Sequence, residues 1–276
     1  MARRGSRLTA RGPHRPRVLI TGAANGIGAA TASALAQQGA RVLGLDLASS
    51  HEVLACDVRD PEDVEAAVET AVGRLGGLDA LINAAGIGLP QSATRPPDED
   101  AVRVLEVNLL GTWRVTAAAL PALRASQGRV INLASGLVHV AFPFATAYAA
   151  SKRGVVAYSD QLRAEVGDEV SVTTVYPGFI RTAIHDASAE AGLSLASLTR
   201  EEPLSAAVDT LRCAVYDRPR RDLATTRRSG LEYALLRQLP RSVADRIAGR
   251  RVRAAARSGT FDAAPMASDL VHRLRP

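Results

Sequence analysis

Lysine is nearly missing from this chain. Of its 34 basic residues among 276, Lys152 alone is a lysine and the others are arginine. A composition so biased would be expected to place arginine at 152 as well, unless a compact ammonium on a flexible stem is needed there instead of a planar fork. Cysteine is almost as scarce, with Cys56 and Cys213 far apart in the chain. Two distant thiols match neither a zinc spacing nor a disulfide framework, which points to a reducing, cytoplasmic setting and to no metal site. Aromatic residues make up 4% against a hydrophobic share of 47%, so the core must be built from Ala, Val and Leu. No apolar run approaches the roughly 18 residues a membrane-spanning helix needs. The first residues lack the apolar stretch of a secretory signal.

Acidic residues are missing at one end and sparse near the other. Residues 1–17 carry six arginines and no acid, residues 218–257 carry a second dense arginine set, and the net charge is +6. Excess charge confined to the ends fits tails or a surface contact better than a nucleic-acid groove, so no nucleic-acid partner is expected. The first 16 residues read as a disordered basic tail.

What is present alternates between strand and helix. Arg17–Thr21 fits a strand, and Thr21-Gly22-Ala23-Ala24-Asn25-Gly26-Ile27-Gly28 follows it, opening a helix that runs through Ala36. Glycines between a strand and a helix allow a tight turn and let a pyrophosphate approach the helix N-terminus. Arg41–Asp46 reads as a second strand ending on Asp46. That carboxylate lies about 20 residues beyond the glycines, where an adenosine ribose would be held and a 2′-phosphate repelled, which favours NAD over NADP. Val53–Cys56 reads as a third strand running into Asp57 and Val58. Asp60-Pro61-Glu62-Asp63 then starts a helix that ends at Gly76-Gly77.

Leu78–Asn83 is the fourth strand, and Ala84-Ala85-Gly86 after it leaves room for a planar ligand. A proline-bearing loop over 88–97 precedes a helix from about Asp98 to Arg124, with Asn108 and Gly111 inside it. Arg129–Ala134 is the fifth strand, closed by Ser135-Gly136, and a helix carrying Tyr148 and Lys152 runs to about Val166. Val170–Tyr176, closed by Pro177-Gly178, is the sixth strand. Residues 179–200 read as a mobile covering segment, 201–216 as helix, 222–226 as a short seventh strand, and 231–257 as helix broken at Pro240. The pattern predicts an α/β fold: a doubly wound parallel Rossmann sheet of about seven strands with helices on both faces. A dinucleotide-binding and catalytic domain over 17–228 would be followed by a helical basic extension over 229–276.

Tyr148 and Lys152 are four apart, hence on one helix face. A cation about 5 Å from a phenol, at an effective dielectric of about 20, favours the phenolate by roughly 3 kcal/mol, or about two pKa units. The tyrosine would then be a usable general acid/base. On the bare spacing alone, a surface Tyr–Lys pair is the simpler account.

Taken in order, Thr21-Gly22 through Gly28, Asp57, Asn83-Ala84-Ala85-Gly86, Asn108, Ser135, Tyr148, Lys152 and Pro177-Gly178 with Thr182 resemble the short-chain dehydrogenase/reductase family over roughly residues 16–226. The resemblance implies a nicotinamide-dependent oxidoreductase acting on an alcohol or ketone. It gives Tyr148 the acid/base role, and Lys152 the tasks of tuning it and binding the nicotinamide ribose. Ser135 would donate to the substrate oxygen, and Asn108 would relay protons through water to Lys152. It also implies cofactor contacts from Gly22, Asn25, Gly26, Ile27, Gly28, Asp46, Asp57, Val58, Asn83, Ala84, Gly86, Pro177, Gly178 and Thr182, and a homodimer or homotetramer. Relatives that prefer NADP often carry a basic residue in the glycine turn or after the second strand. Asn25 and Leu47 stand there, which again supports NAD.

Phe142, Phe144 and Phe179 fall near the substrate side, which suggests a secondary alcohol or ketone of a fairly hydrophobic small molecule. His139 and His185 lie near the same mouth, either as substrate contacts or as histidines without a role. Trp113 suits the core or a helix interface. Leu231, Leu235, Leu236 and Leu239 can share a helix face with Arg237, Arg241 and Arg246 nearby. Packing on the core or on a neighbouring subunit is the favoured account of that face, and peripheral contact with an anionic membrane the other. A non-catalytic nucleotide sensor or scaffold on the same fold is the alternative to an enzyme, and retention of both Tyr148 and Lys152 weighs against it.

Overall fold

Seven short strands, each separated from the next by a helix or a tight turn, line up in one sheet. In the computed structural model, which describes residues 15–193 and 199–275, these are β1 Arg17–Thr21, β2 Arg41–Asp46, β3 Val53–Ala55, β4 Ala80–Asn83, β5 Arg129–Leu133, β6 Ser171–Tyr176 and β7 Asp222–Ala224. All pairings are parallel and the order is β3-β2-β1-β4-β5-β6-β7. The order reverses between β1 and β4, the place where such sheets open a crevice at their carboxyl ends. Among residues 1–16 of the expected basic tail, 1–14 lie outside the described residues.

Helices cover both faces, as expected. Period-two alternation in β1 sends Val18 and Ile20 to one side and Leu19 to the other. The first side packs on α1 Gly26–Gln37 and α7 Leu204–Tyr216, through Leu35, Leu211 and Val215. The second side packs on α2 Pro61–Leu75, α4 Thr112–Ser126 and α5 Thr146–Val166, through Val64, Val115 and Leu162. α2 begins as its sequence demands: Asp60 caps the Glu62 and Asp63 amides with Pro61 in the first turn, and Gly76 closes it in the left-handed region at φ 73°. A buried amide network joins sheet to helices, with Asn83 donating to Thr116 Oγ1 at 2.9 Å and to Asn132 Oδ1 at 2.8 Å. Asn132 in turn donates to Ser159 Oγ at 2.9 Å.

The structure departs from the sequence reading in three places. The long helix expected over 98–124 is divided into α3 Glu99–Leu105, a π-helical turn Glu106–Gly111 and α4. Such a turn widens the helix locally and often marks a functional position; here it contains Asn108. The segment read as a mobile cover carries a 3₁₀ turn at Ala183–His185 and the short helix α6 Asp186–Glu190, and buries Leu193; residues 194–198 lie outside the described residues. The first helix of the extension, α8 Arg227–Gln238, begins before residue 229, because Thr226 caps it through the Ser229 amide. Trp113 is 55% exposed and so not in the core; it stands at a helix interface, the other account given for it, stacked on Tyr158 across α4 and α5 with ring centroids 5.2 Å apart.

After Pro240 the chain continues as α9 Arg241–Arg257 and, past a 3₁₀ turn, α10 Ser268–Leu274. This extension has its own small core of Leu193, Ala255, Ala256, Phe261, Ala264 and Ala267. Phe144 joins that core from the loop after β5, its ring edge-on to Phe261 at 6.1 Å. The extension is thereby pinned over the carboxyl ends of the strands.

Candidate active site

A cavity of about 1480 Å³ opens along those strand ends, from the glycine turn to the C-terminal helices. At one end the turn after β1 is packed too tightly for a side chain at Gly22 or Gly28. An ideal Cβ on Gly22 would lie 2.8 Å from the Ala85 backbone, and one on Gly28 would strike the Gly22 carbonyl. Gly22 and Gly26 also adopt φ of 68° and 56°. Thr21 locks the turn to the next strand, its Oγ1 accepting from the amides of Ala84 and Ala85 at 3.0 Å each. Asn25 precedes α1 without capping it, and the first turn of α1 holds no acid. The opening amides of that helix face the cavity through Gly26, Ile27 and Gly28.

Asp46 ends β2 beside this turn. Its Oδ2 accepts from the Ala24 amide at 2.9 Å and its Oδ1 from the Leu47 amide at 2.8 Å, so the carboxylate is held in place at the cavity edge. Asp57 and Val58 line the same end. Asp57 is held well below the usual carboxylate range, chiefly by its hydrogen bond with the Arg59 guanidinium. Val58 packs on Gly111, where a Cβ would come within 2.7 Å of Val58 Cγ2.

The residues present fit a nicotinamide dinucleotide. Gly22 and Gly28 leave no room for a Cβ, the helix that follows has no side-chain cap, and the Asp46 carboxylate stands beside the turn at the cavity edge. Thr182 lies across the cleft from the turn, since a Cβ on Gly26 would meet Thr182 Cβ at 3.4 Å. Ala84, Gly86, Pro177 and Gly178 complete the wall.

At the centre of the cavity Ser135, Tyr148 and Lys152 share one wall. Lys152 Nζ donates to the Leu133 carbonyl at 3.0 Å and sits 5.8 Å from the centroid of the Tyr148 ring. Burial pushes this ammonium down to about 8. The phenol does not move in the direction expected from the Tyr–Lys spacing. Burial raises the Tyr148 pKa, and the hydrogen bond with Ser135 offsets only part of that. Desolvation of the phenolate is the largest cause.

Asn108 and Asn83 stand behind this wall and do not line the cavity. The side chain of Asn108 is fully buried; it accepts from the Ile87 amide at 2.8 Å and donates to the Ile87 carbonyl and to Ser151 Oγ, both at 3.0 Å. It nevertheless adjoins the lysine: a Cβ on Gly86 would lie 3.3 Å from Asn108 Oδ1 and 3.5 Å from Lys152 Nζ. Asn83, expected among the cofactor contacts, spends its amide on the network beneath the sheet.

The far end of the cavity is largely apolar, with Arg228, Glu232 and Arg251 among the residues that α8 and α9 add to its lining. Phe142, Phe144 and Phe179 line it with Leu89, Leu137 and Val140, and α9 closes it with Ala248, Val252 and Ala255. His185 lines it too, its ring tilted against that of Phe179 with centroids 4.8 Å apart, and is lowered in pKa by burial. His139 turns away, with its ring centroid 5.2 Å from that of Tyr176 and 4.8 Å from that of Tyr233, and its buried Nε2 finds no partner among the described residues.

Sequence reasoning missed Glu202. This buried carboxylate accepts from the hydroxyls of Thr225, Thr226 and Ser229 and from the Gly178 amide at 3.3 Å. It joins the Pro177-Gly178 turn to the N-terminus of α8. Residues 201–216 read only as helix, and the hydroxyl partners of Glu202 lie 23 or more residues away.

A short chain dehydrogenase family model matches residues 16–192. The chain belongs to the short-chain dehydrogenase family. It is 37% identical over 183 residues to D-threitol dehydrogenase of Mycolicibacterium smegmatis, covering 60% of this chain and 70% of that one. To the 3-oxoacyl-acyl-carrier-protein reductase of Vibrio cholerae it is 34% identical over 178 residues, 59% of this chain and 73% of that one. Ligand-free aldohexose dehydrogenase of Thermoplasma acidophilum superposes with a TM-score of 0.68 at 22% identity, over 78% of this chain and 94% of that one, and shares the fold. As a short-chain dehydrogenase the protein is an oxidoreductase that uses a nicotinamide cofactor. The family match ends before α7, so α8, α9 and α10 lie outside it.

Proposed function

We propose that this short-chain dehydrogenase moves a hydride between NAD(H) and a secondary alcohol or ketone of a fairly hydrophobic small molecule. The observation that carries the reading is the convergence of Ser135, Tyr148 and Lys152 on one wall of a cavity that begins at the glycine turn. Bound there, the nicotinamide would supply the hydride acceptor or donor. Gly22, Gly26 and Gly28 admit the pyrophosphate to the amides of α1, and Asp46 holds the adenosine ribose, supporting NAD over NADP. Asp57 and Val58 border the adenine. Thr182, Pro177 and Gly178 border the nicotinamide end.

Tyr148 gives a proton to the substrate oxygen in reduction and takes one in oxidation. Ser135 donates to the same oxygen as charge develops on it. Lys152 adds a positive charge beside the phenol and a donor for the nicotinamide ribose. Asn108, next to it behind Gly86, passes protons through water to the lysine. The apolar far end supports a hydrophobic substrate body. Exposed Trp113 on α4, stacked on the half-buried Tyr158 of α5, supports a homodimer or homotetramer formed through those helices. Both cysteines are free, Cys56 buried and Cys213 exposed, which supports a cytoplasmic setting. The test is an oxidation screen with NAD over steroid, polyketide, sugar and aliphatic alcohols, followed by NADH absorbance. Turnover of none of them with either NAD or NADP would overturn the reading.

A further inference from the structure

The helices that roof the cavity have an outer face of unusual composition. α8 and α9 turn their inner residues to the cavity, with Ser229 and Tyr233 from the first helix and Ala248, Val252 and Ala255 from the second. On the opposite side of α9 stand Arg246, Arg250, Arg253 and Arg257. Their spacing of four, three and four residues puts all of them on one helix face, along about 16 Å of its length. All four are exposed, and none forms an ion pair among the described residues. On the outer side of α8, Leu231 and Leu235 lie one turn apart at 75% and 62% exposure. Residues 218–257 carry twelve arginines against three carboxylates, a larger excess than the whole chain's +6.

We infer that the outer face of the α8–α9 roof docks on an anionic lipid surface. Four guanidiniums in a row have no ion-pair partner among the described residues, and bringing them together works against folding unless something negative covers them. A row of phosphate head groups supplies that charge, each arginine near such a surface strengthening binding by about fivefold. The two leucines decide between lipid and the other polyanions, because an apolar side chain gains from the acyl boundary and nothing from a phosphate backbone. A second copy of this chain is the poorer occupant, since a two-fold interface would set arginine row against arginine row. Docked in this way, the roof would hold the apolar end of the cavity close to the lipid.

The experiment is co-sedimentation of the full chain with vesicles of equal parts phosphatidylglycerol and phosphatidylcholine, and with phosphatidylcholine alone. It needs no substrate or cofactor, so its outcome is separate from that of the redox reading. Binding is expected to the anionic vesicles only, and to be lost between about 0.1 M and about 1 M salt as the screening length falls from about 10 Å to about 3 Å. Replacing the four arginines together (R246Q, R250Q, R253Q, R257Q) should weaken binding by at least thirtyfold, on the order expected from several such charges. Leu231→Ser with Leu235→Ser should weaken it by about tenfold at unchanged charge. Unfolding temperature reports whether each variant is folded, and Arg218→Gln with Arg220→Gln, off these two helices, should bind nearly as well as the parent. No binding, equal binding to both vesicles, no effect of the arginine or leucine variants, or tighter binding to a duplex DNA oligonucleotide than to the anionic vesicles would each overturn the assignment.

Discussion

Lys152 lies over the face of Tyr148, its Nζ 5.8 Å from the ring centroid and hydrogen-bonded to the Leu133 carbonyl at 3.0 Å. The two residues therefore share a wall while their pKa values respond separately to burial, the ammonium lowered to about 8 and the phenol raised. A raised phenol keeps its proton at neutral pH and suits proton donation to a carbonyl. Tyr148→Phe should lower kcat by about 10³-fold, within the range of a lost general acid. Cofactor affinity, read by NADH fluorescence, should stay within about threefold. As Lys152 loses its charge, kcat/KM for ketone reduction should fall as pH rises through about 8. Lys152→Met should remove that limb along with most of the activity. A profile with no alkaline limb before pH 10 would contradict the role given to the lysine.

The proposed preference for NAD rests on Asp46, whose carboxylate accepts from the amides of Ala24 and Leu47. NADH should bind more tightly than NADPH by about a hundredfold, because a 2′-phosphate would be brought against an immobile carboxylate. Asp46→Ser should shrink that ratio to below about tenfold. Fluorescence titration of both cofactors decides it, and a parent protein preferring NADPH would refute the argument.

Glu202 is a buried carboxylate surrounded by hydroxyls and an amide, with no ion pair among the described residues. Glu202→Leu leaves the donors of Thr225, Thr226, Ser229 and Gly178 facing an apolar side chain. The loss should be about 2–4 kcal/mol of stability, with unfilled buried donors as its source. Glu202→Gln, which keeps an acceptor, should lose less. Urea denaturation of both variants is the measurement, and equal losses would mean that packing, not hydrogen bonding, sets the value of this residue.

His139 should make the protein acid-sensitive. Burial first, and then the Arg237 charge, lower it from 6.5 to about 4 in the folded chain. Between those values the unfolded chain binds the proton and the folded chain does not. Stability therefore falls as pH drops from about 6.5 toward about 4, and the His139 contribution is flat above 6.5. His139→Phe preserves a ring against Tyr176 and Tyr233 and should flatten that part of the curve. Unfolding temperatures from pH 7 down to pH 4.5 test this by the difference between parent and variant.

Where local chemistry decides conformation, the chain could be read directly. A strand followed by Gly22, Gly26 and Gly28 has one low-energy continuation, and β1, β2 and α2 stand at the expected residues. The parallel sheet followed from strand–helix alternation, and the placing of Tyr148 and Lys152 on one face from helical geometry. What depended on partners distant in sequence was settled only by packing. Asn83 donates to Thr116 on α4 and to Asn132 on β5, His139 turns inward between Tyr176 and Tyr233, and the Tyr148 pKa is raised by burial. Glu202 acquires its meaning from three hydroxyls at least 23 residues away, and the extension becomes a roof because Phe261 finds Phe144. Periodicity and turn chemistry act over a few residues. Desolvation and hydrogen-bond satisfaction act over whatever the fold brings together, and no short stretch of chain contains that information.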